Sequence, residues 1–423
     1  MRLEPANPRA GGSGKHSESD MAVPPPGPCR LPMEVFRSGC GGFRPVFART
    51  FIGAPEHSGD EDDPMCGQVV RGMRPTEPVG IVTAGLWLPE GRSRASDAVA
   101  AGRLRERDAA ALGHESVPDA RAVAPPDAAV LAARGVLEAA GLEADELDVL
   151  AHAWMYYQGH DLWSPAHYVA RRLDALRALP VGIQQVCNGG AAAMGLVMAW
   201  LASSDPAPAA RPRLGLVTTG DRFAEPGFDR WAGDFGVAYG DAGTAVLLRR
   251  PAADGDVLLL RSVATIADPL LEEMHRGTDP FSPVARGHRD QVDMRATKRA
   301  YLRTYGTLPF TSSNRRAIRT VVSQALADGG MDGRDPRLTH VVLPRFGAKT
   351  LAESWIPVLA ELVGGAQLLD LGRETGHLGA GDAVAGLADL VARGLPEPGS
   401  SALVFSAGAG FTWSCLLVES PAR

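Results

Sequence analysis

The stretch best suited to covalent chemistry in this 423-residue chain is VCNGGAAAMG, where Cys187 follows an apolar run and precedes two glycines and three alanines. The preceding LPVGI reads as a strand and the following GGAAAMGLVMAW as a helix. A helix N-terminus carries partial positive charge, which favours a thiolate over a thiol. A thiolate at such a turn could attack a carbonyl carbon and hold the acyl group covalently. The small residues leave space above the sulfur and let the next helix pack closely. Taken alone, a cysteine here is as readily a small buried hydrophobe.

The remaining cysteines, Cys29, Cys40, Cys66 and Cys415, form no CxxC pair and no zinc-binding spacing with histidine, so no metal is expected and a reducing compartment fits. A net charge of −6 argues against nucleic acid as a partner. No apolar run reaches the ~18 residues of a membrane span, and the first 30 residues have no apolar core like that of a signal peptide. These features point to a cytoplasmic protein that binds neither membrane nor nucleic acid.

Residues 1–77 are rich in Pro, Gly and Ser without sustained period, and read as a disordered or non-native N-terminal extension. From Pro78 onward strands and helices alternate. PVGIVTAGLWLP is a strand, and DAAVLAARGVLEAAGLEADELDVLAHA a helix, a glycine break and a strand near Leu147 to Ala151. RPRLGLVTTGD and GVAYGDAGTAVLLRR are further strands. The second half has the same rhythm. There SNRRAIRTVVSQALADGGM is a helix ended by Gly329 and Gly330, THVVLPRFG a strand, AKTLAESWIPVLAELVGG and DAVAGLADLVARG helices, and SALVFSAGAGFTWSCLLVE a closing strand pair. Such alternation predicts an α/β fold with a largely parallel sheet covered on both faces, in two halves, 78–250 and 251–423. In DRFAEPGFDRWAGDFG, Phe223, Trp231 and Phe235 are equally suited to an acyl pocket and to the core.

The blocks VCNGGAAAMG, FGVAYGDAGTAVLL, TGHLGAGDAVAG and SAGAGFTWSCLLV, in this order and spacing, resemble the ketoacyl-ACP synthase III branch of the thiolase superfamily over about Val79 to Glu419. The resemblance implies two packed βαβαβαββ halves in a five-layer αβαβα arrangement and a homodimer. Cys187 matches the family's acyl-accepting cysteine. The backbone N–H groups of Cys187 and Ala409 match its oxyanion hole, which stabilises the tetrahedral intermediate. No cofactor is implied, because the acyl group arrives on the phosphopantetheine of an acyl carrier protein (ACP) or on CoA.

The sequence departs from the condensing pattern at two points. Arg345, in LPRFGAKTL, stands where the family has a histidine, and His377, in GHLGAGD, where it has an asparagine. Those two groups stabilise the enolate of a decarboxylating malonyl thioester, so the usual condensation loses its chemical basis. What remains is Cys187, His377 and Asp382, which fits nucleophile, base and orienting acid. On one continuous helix residues 377 and 382 would not share a face, but Gly379 and Gly381 would let the backbone turn. Asp382 is also placed to cap the helix that follows it. Arg345 is suited to a structural ion pair or to contact with phosphopantetheine or a substrate carboxylate.

The Cys-His-Asp set resembles the acyltransferase subgroup of antibiotic and polyketide pathways, which moves an acyl group from ACP or CoA to a second carrier protein or a sugar hydroxyl. Three rivals stand beside this reading: a decarboxylative synthase supplying a starter unit, a non-catalytic ketosynthase-like subunit, and a nucleotide-binding oxidoreductase. The last is weak, because GAGDAVAG lacks the glycine spacing and the preceding strand of a dinucleotide site.

Overall fold

The computed structural model describes residues 69–73, 77–203 and 211–422. A first strand, β1 (Val69–Met73), lies inside the segment expected to be irregular; the rest of residues 1–76 lies outside the described residues. The first half then runs β2 (Val79–Trp87), a two-stranded pair β3 (Arg92–Arg94) and β4 (Ser116–Pro118), α1 (Pro125–Ala140), β5 (Val149–Ala153), α2 (Pro165–Leu173), β6 (Leu179–Ile183), α3 (Gly189–Ala202), β7 (Arg213–Asp221) and β8 (Ala242–Arg250). The second half runs β9 (Leu258–Ala267), α4 (Met294–Tyr305), α5 (Leu308–Asp328), β10 (Leu338–Val342), α6 (Ile356–Leu362), β11 (Gln367–Leu369), α7 (Asp382–Arg393), β12 (Ser401–Gly408) and β13 (Thr412–Glu419).

The strand order is β11-β10-β12-β13-β9-β2-β8-β7-β5-β6, with β1 added on β9. Read inward from either outer edge, third, second, fourth, fifth and first strand of each half follow one another, so the halves share one topology. They meet where β2 pairs antiparallel with β9. The sheet is mixed, not largely parallel: β5 is parallel to β6 and β7, and β10 to β11 and β12, whereas β8 and β13 run antiparallel to their neighbours. The cause is local. Each half ends in two strands with no helix between them, and only a helical crossover returns the chain in the same direction.

Side-chain alternation sorts the sheet into layers. In β12 and β13, Val404, Leu416 and Val418 join a core with α3 and α7, while Leu403, Phe405 and Leu417 face α5 and α6. In β5 and β8, Ala151, Val246 and Leu248 join the same central core, while Leu150, Ala245 and Leu247 face α1 and α2. The result is five layers, with α3 and α7 sandwiched between the halves of the sheet. Helix α3 must therefore be apolar all round, which GGAAAMGLVMAWLA is. Between α4 and α6 the chain departs from the expected single helix: Ala348–Thr350 is a short turn, Leu351–Trp355 a π-helical turn, and Pro357 sits at the start of α6, where a missing N–H is tolerated.

Candidate active site

Cys187 lies in a tight turn, Val186–Asn188, between β6 and α3. Val186 has φ of +48°, a left-handed conformation that costs a β-branched residue about 1–3 kcal/mol. This sharp reversal turns Cys187 onto the wall of a cavity of about 480 Å³, where its Sγ lies 3.4 Å from Met155 Sδ. The glycines behind it serve a purpose other than space for a ligand. A Cβ at Gly190 would meet the Ala380 carbonyl oxygen at 2.5 Å, so the small residues admit the turn that carries His377 and Asp382.

That turn brings His377 and Asp382 together. Gly379 has φ of +62° and begins a 3₁₀ turn, Gly379–Gly381, which folds the chain back before α7. His377 Nδ1 donates to Asp382 Oδ2 at 2.6 Å, and Asp382 Oδ1 accepts the Leu378 N–H at 2.8 Å. Asp382 is the first residue of α7 and caps no N–H of that helix; Gly381 holds the cap position. His377 Nε2 is buried with no hydrogen-bond partner among the described residues, and His377 and Cys187 line the same cavity. Burial disfavours a charged imidazole here. The opposed charges of Asp382 and Cys187 outweigh it and hold the His377 pKa well above its ordinary value.

Ala409 also lies on the cavity wall, beside Ala407 and Gly408 at the end of β12. Ser406 Oγ donates to the Cys187 carbonyl at 3.3 Å, tying this strand end to the turn that carries Cys187.

Three candidate substrate contacts, Arg345, Phe223 and Trp231, are not among the residues that line the cavity. The Arg345 guanidinium faces away from the cavity. It donates to the Leu371 carbonyl at 3.0 Å and the Thr375 hydroxyl at 2.5 Å, and pairs with Asp389 on α7. Its neighbour Phe346 takes the cavity position, 6.0 Å from the His377 ring. Phe223 is buried against Phe228 and Tyr239, with ring centroids at 5.1 and 4.7 Å. Trp231 is buried in another cluster and donates its Nε1–H to Ser93. Of the three aromatics, Phe235 alone reaches the cavity, where Arg295 lies over its ring.

Several site residues carried no sequence signal. Tyr239 packs edge-on against His377 at 5.2 Å and donates its hydroxyl to Asp234 Oδ2 at 3.0 Å. Asp221, the last residue of β7, accepts the N–H groups of Met155 (2.9 Å), Tyr156 (2.8 Å) and Ala380 (2.8 Å). Burial pushes its pKa up to about 7, against those N–H bonds and the charge of His377. The YGDAG block containing Tyr239, and the strand end at TTGD, were the available hints; neither indicates a direction for the side chain.

Comparison with known proteins agrees with this geometry. Residues 362–420, which hold His377, Asp382 and Ala409, match the family described as 3-oxoacyl-acyl-carrier-protein (ACP) synthase III, C terminal. The acyltransferase ChlB3 superposes with a TM-score of 0.72 at 29% identity, over 82% of this chain and 98% of ChlB3. The chain has the thiolase fold in its ketoacyl synthase III-like form. Two further thiolase-fold structures superpose with lower scores than ChlB3. The 3-oxoacyl-acyl-carrier-protein synthase III of Aquifex aeolicus VF5 gives a TM-score of 0.63 at 19% identity, over 81% of this chain and 99% of its own. The tetronic acid condensing enzyme AbyA1 gives 0.60 at 22%, over 81% and 100%. Among curated proteins none matches. Within this synthase III-like fold, the described residues include no helix long and apolar enough to cross a membrane.

Proposed function

We propose that this synthase III-like chain is an acyltransferase without decarboxylation. It would take an acyl group, aromatic or a short polyketide, from an ACP or CoA thioester onto Cys187. It would pass that group to a second carrier protein or a sugar hydroxyl, in polyketide antibiotic biosynthesis. The observation that carries the reading is the His377–Asp382 pair on the cavity of Cys187, with Nε2 unpartnered, together with the withdrawal of Arg345 to Asp389. A decarboxylating site needs two donors on one enolate oxygen, and the residue at one of those two positions faces away.

In the first step the Cys187 thiolate adds to the thioester carbonyl carbon. The resulting oxyanion is held by the backbone N–H groups of Cys187 and Ala409, each worth about 3 kcal/mol of barrier in such sites. Collapse breaks the bond to the carrier sulfur, which takes a proton from His377. In the second step His377 Nε2 accepts the proton of the incoming thiol or hydroxyl, whose sulfur or oxygen attacks the acyl carbonyl. Cys187 then leaves as thiolate. Asp382 keeps the imidazole proton on Nδ1, so that Nε2 is the working nitrogen.

A homodimer is part of the reading. Strand β6 is an outer edge of the sheet, and Leu179 on it and Leu176 just before it are 54% and 76% exposed; edges of this kind call for cover.

The test is intact-mass spectrometry of wild type, Cys187→Ala and His377→Ala mixed with acyl thioesters, followed by holo carrier protein. We expect an adduct on wild type, none on Cys187→Ala, and discharge to the carrier only when His377 is present. Release of carbon dioxide from a malonyl thioester with an acyl primer would overturn the reading in favour of condensation. No adduct with any donor would favour a non-catalytic subunit.

A further inference from the structure

The cavity wall is apolar around Met155, Val237, Phe346 and Trp355, but one part of it carries the polar side chains of Lys298, Asp234, Tyr239 and His275. Lys298, on α4, donates its ammonium to Asp234 Oδ1 at 2.6 Å, its one hydrogen-bond partner among the described residues. Asp234 Oδ2 is taken by the Tyr239 hydroxyl. The charges of Lys298 and Asp234 both act on His275, whose ring lies tilted against Phe411 with centroids 4.8 Å apart and whose buried Nδ1 has no hydrogen-bond partner among the described residues. Burial, then the Lys298 charge, lower the His275 pKa to about 3 against the pull of Asp234, so its ring is neutral.

A neutral imidazole offers one donor and one acceptor, and an ammonium offers donors only. A hydrocarbon placed here would leave the free Lys298 and His275 groups facing nothing, which costs about 1–3 kcal/mol for each buried group. A carboxylate would meet a lysine already neutralised by Asp234. A hydroxyl fits both partners, because it accepts from Lys298 and donates to, or accepts from, His275.

Resting on the acyl-transfer reading above, we infer that His275 is a specificity residue, and that the thioester substrate of this enzyme carries on its acyl group a hydroxyl that hydrogen-bonds to His275 beside Lys298. Catalysis at Cys187 does not pass through His275, so its removal alters which acyl group is accepted and leaves the bond-making machinery intact.

Matched N-acetylcysteamine thioesters test this: benzoyl against its 2-, 3- and 4-hydroxy forms, and hexanoyl against its hydroxy forms. Rates of Cys187 acylation are read by intact mass for wild type, His275→Phe (which keeps an aromatic ring against Phe411) and His275→Gln (which restores a hydrogen-bonding group). At least one hydroxylated form should acylate wild type tenfold or more faster than its parent, the scale expected of a site built around a substrate hydroxyl. His275→Phe should bring that ratio within twofold, the hydroxylated rate falling and the parent rate holding or rising as the unmet imidazole is removed, and His275→Gln should recover part of it. A ratio near one in wild type, or one unchanged in His275→Phe, overturns the inference. Pantetheine thioesters of the same acids form a second arm. A His275 effect seen with pantetheine alone would mean that the residue reads the carrier arm, which also overturns it. Calorimetric binding of hydroxylated and parent pantetheine thioesters to Cys187→Ala requires no chemistry. It decides the hydroxyl preference even if no donor acylates wild type and the acyltransferase reading itself falls.

Discussion

His377 Nδ1 and Asp382 Oδ2 lie 2.6 Å apart although they are five positions apart in the chain, because the turn Gly379–Gly381 reverses the chain before α7 begins. The same carboxylate holds the Leu378 N–H, so one side chain fixes both the ring and the backbone beside it.

Asp382→Asn keeps the shape and the acceptor for Leu378 but can present an NH₂ to Nδ1, favouring the tautomer whose proton sits on Nε2. Discharge of the acyl-enzyme should slow by about 10²–10⁴-fold with little change in substrate binding. NMR of the His377 imidazole should show its pKa falling, since a main source of its elevation is gone. A loss under tenfold would make Asp382 a structural residue only.

Asp221 binds the N–H of Ala380, in the turn between His377 and Asp382, and the N–H of Met155, whose sulfur touches Cys187. Asp221→Asn cannot accept all three N–H bonds, and each buried group left unmet costs about 1–3 kcal/mol. Melting temperature and acyl-enzyme discharge should both fall. The carboxyl titrates at about 7 in the fold, so wild-type rates should carry an inflection near that pH, with activity rising as the group ionises and supports the His377 cation. In the Asn variant that inflection should vanish; its persistence would assign it to another group.

Arg345→Met separates the two roles open to this residue. With its guanidinium removed, Asp389 loses its cation and the Leu371 carbonyl its donor. Breaking a buried pair of this kind costs about 3–5 kcal/mol, a figure to discount because Asp389 is about one-quarter exposed. Denaturant unfolding should show the loss, while Cys187 acylation per folded molecule stays within about threefold of wild type. A stable variant with a raised KM would restore the substrate contact.

His152 is fully buried between Thr218 and Gln158, at 3.0 and 3.3 Å. Burial lowers its pKa from 6.5 to about 4, against the Gln158 hydrogen bond. Between those values the unfolded chain binds the proton and the folded one does not. This contribution is therefore complete above pH 6.5 and is lost as pH falls toward 4, to the extent of about 3 kcal/mol. The stability advantage of wild type over His152→Gln should shrink across that window in denaturant melts, and a constant difference would refute the assignment.

By itself the sequence determined the succession of elements and the place of Cys187 between a strand and a helix. Alternation of two-residue and 3.6-residue hydrophobic periods marks strands and helices, and GGAAAMGLVMAWLA reads as a buried helix because every face of it is apolar. Gly379 and Gly381 already allowed His377 and Asp382 to meet, since only such a turn brings positions five apart together ahead of a helix. The strand limits moved by two residues at Val149–Ala153, where no turn residue marks the start.

What the sequence left open are directions of side chains fixed by distant partners. Arg345 matches a catalytic position in the chain but turns to Asp389, 44 residues away, because a buried guanidinium goes where acceptors are. Phe223 and Trp231 look like Phe235 in composition, yet the first two fill cores and the third reaches the cavity. Asp234, Tyr239, Lys298 and His275 come from both halves and meet only after the halves pack through β2 and β9. Local periodicity encodes which elements form. Which side chains share a cavity depends on the antiparallel register between strands nearly 180 residues apart, and only the tertiary structure sets that register, through burial of α3 and α7 between the two halves of the sheet.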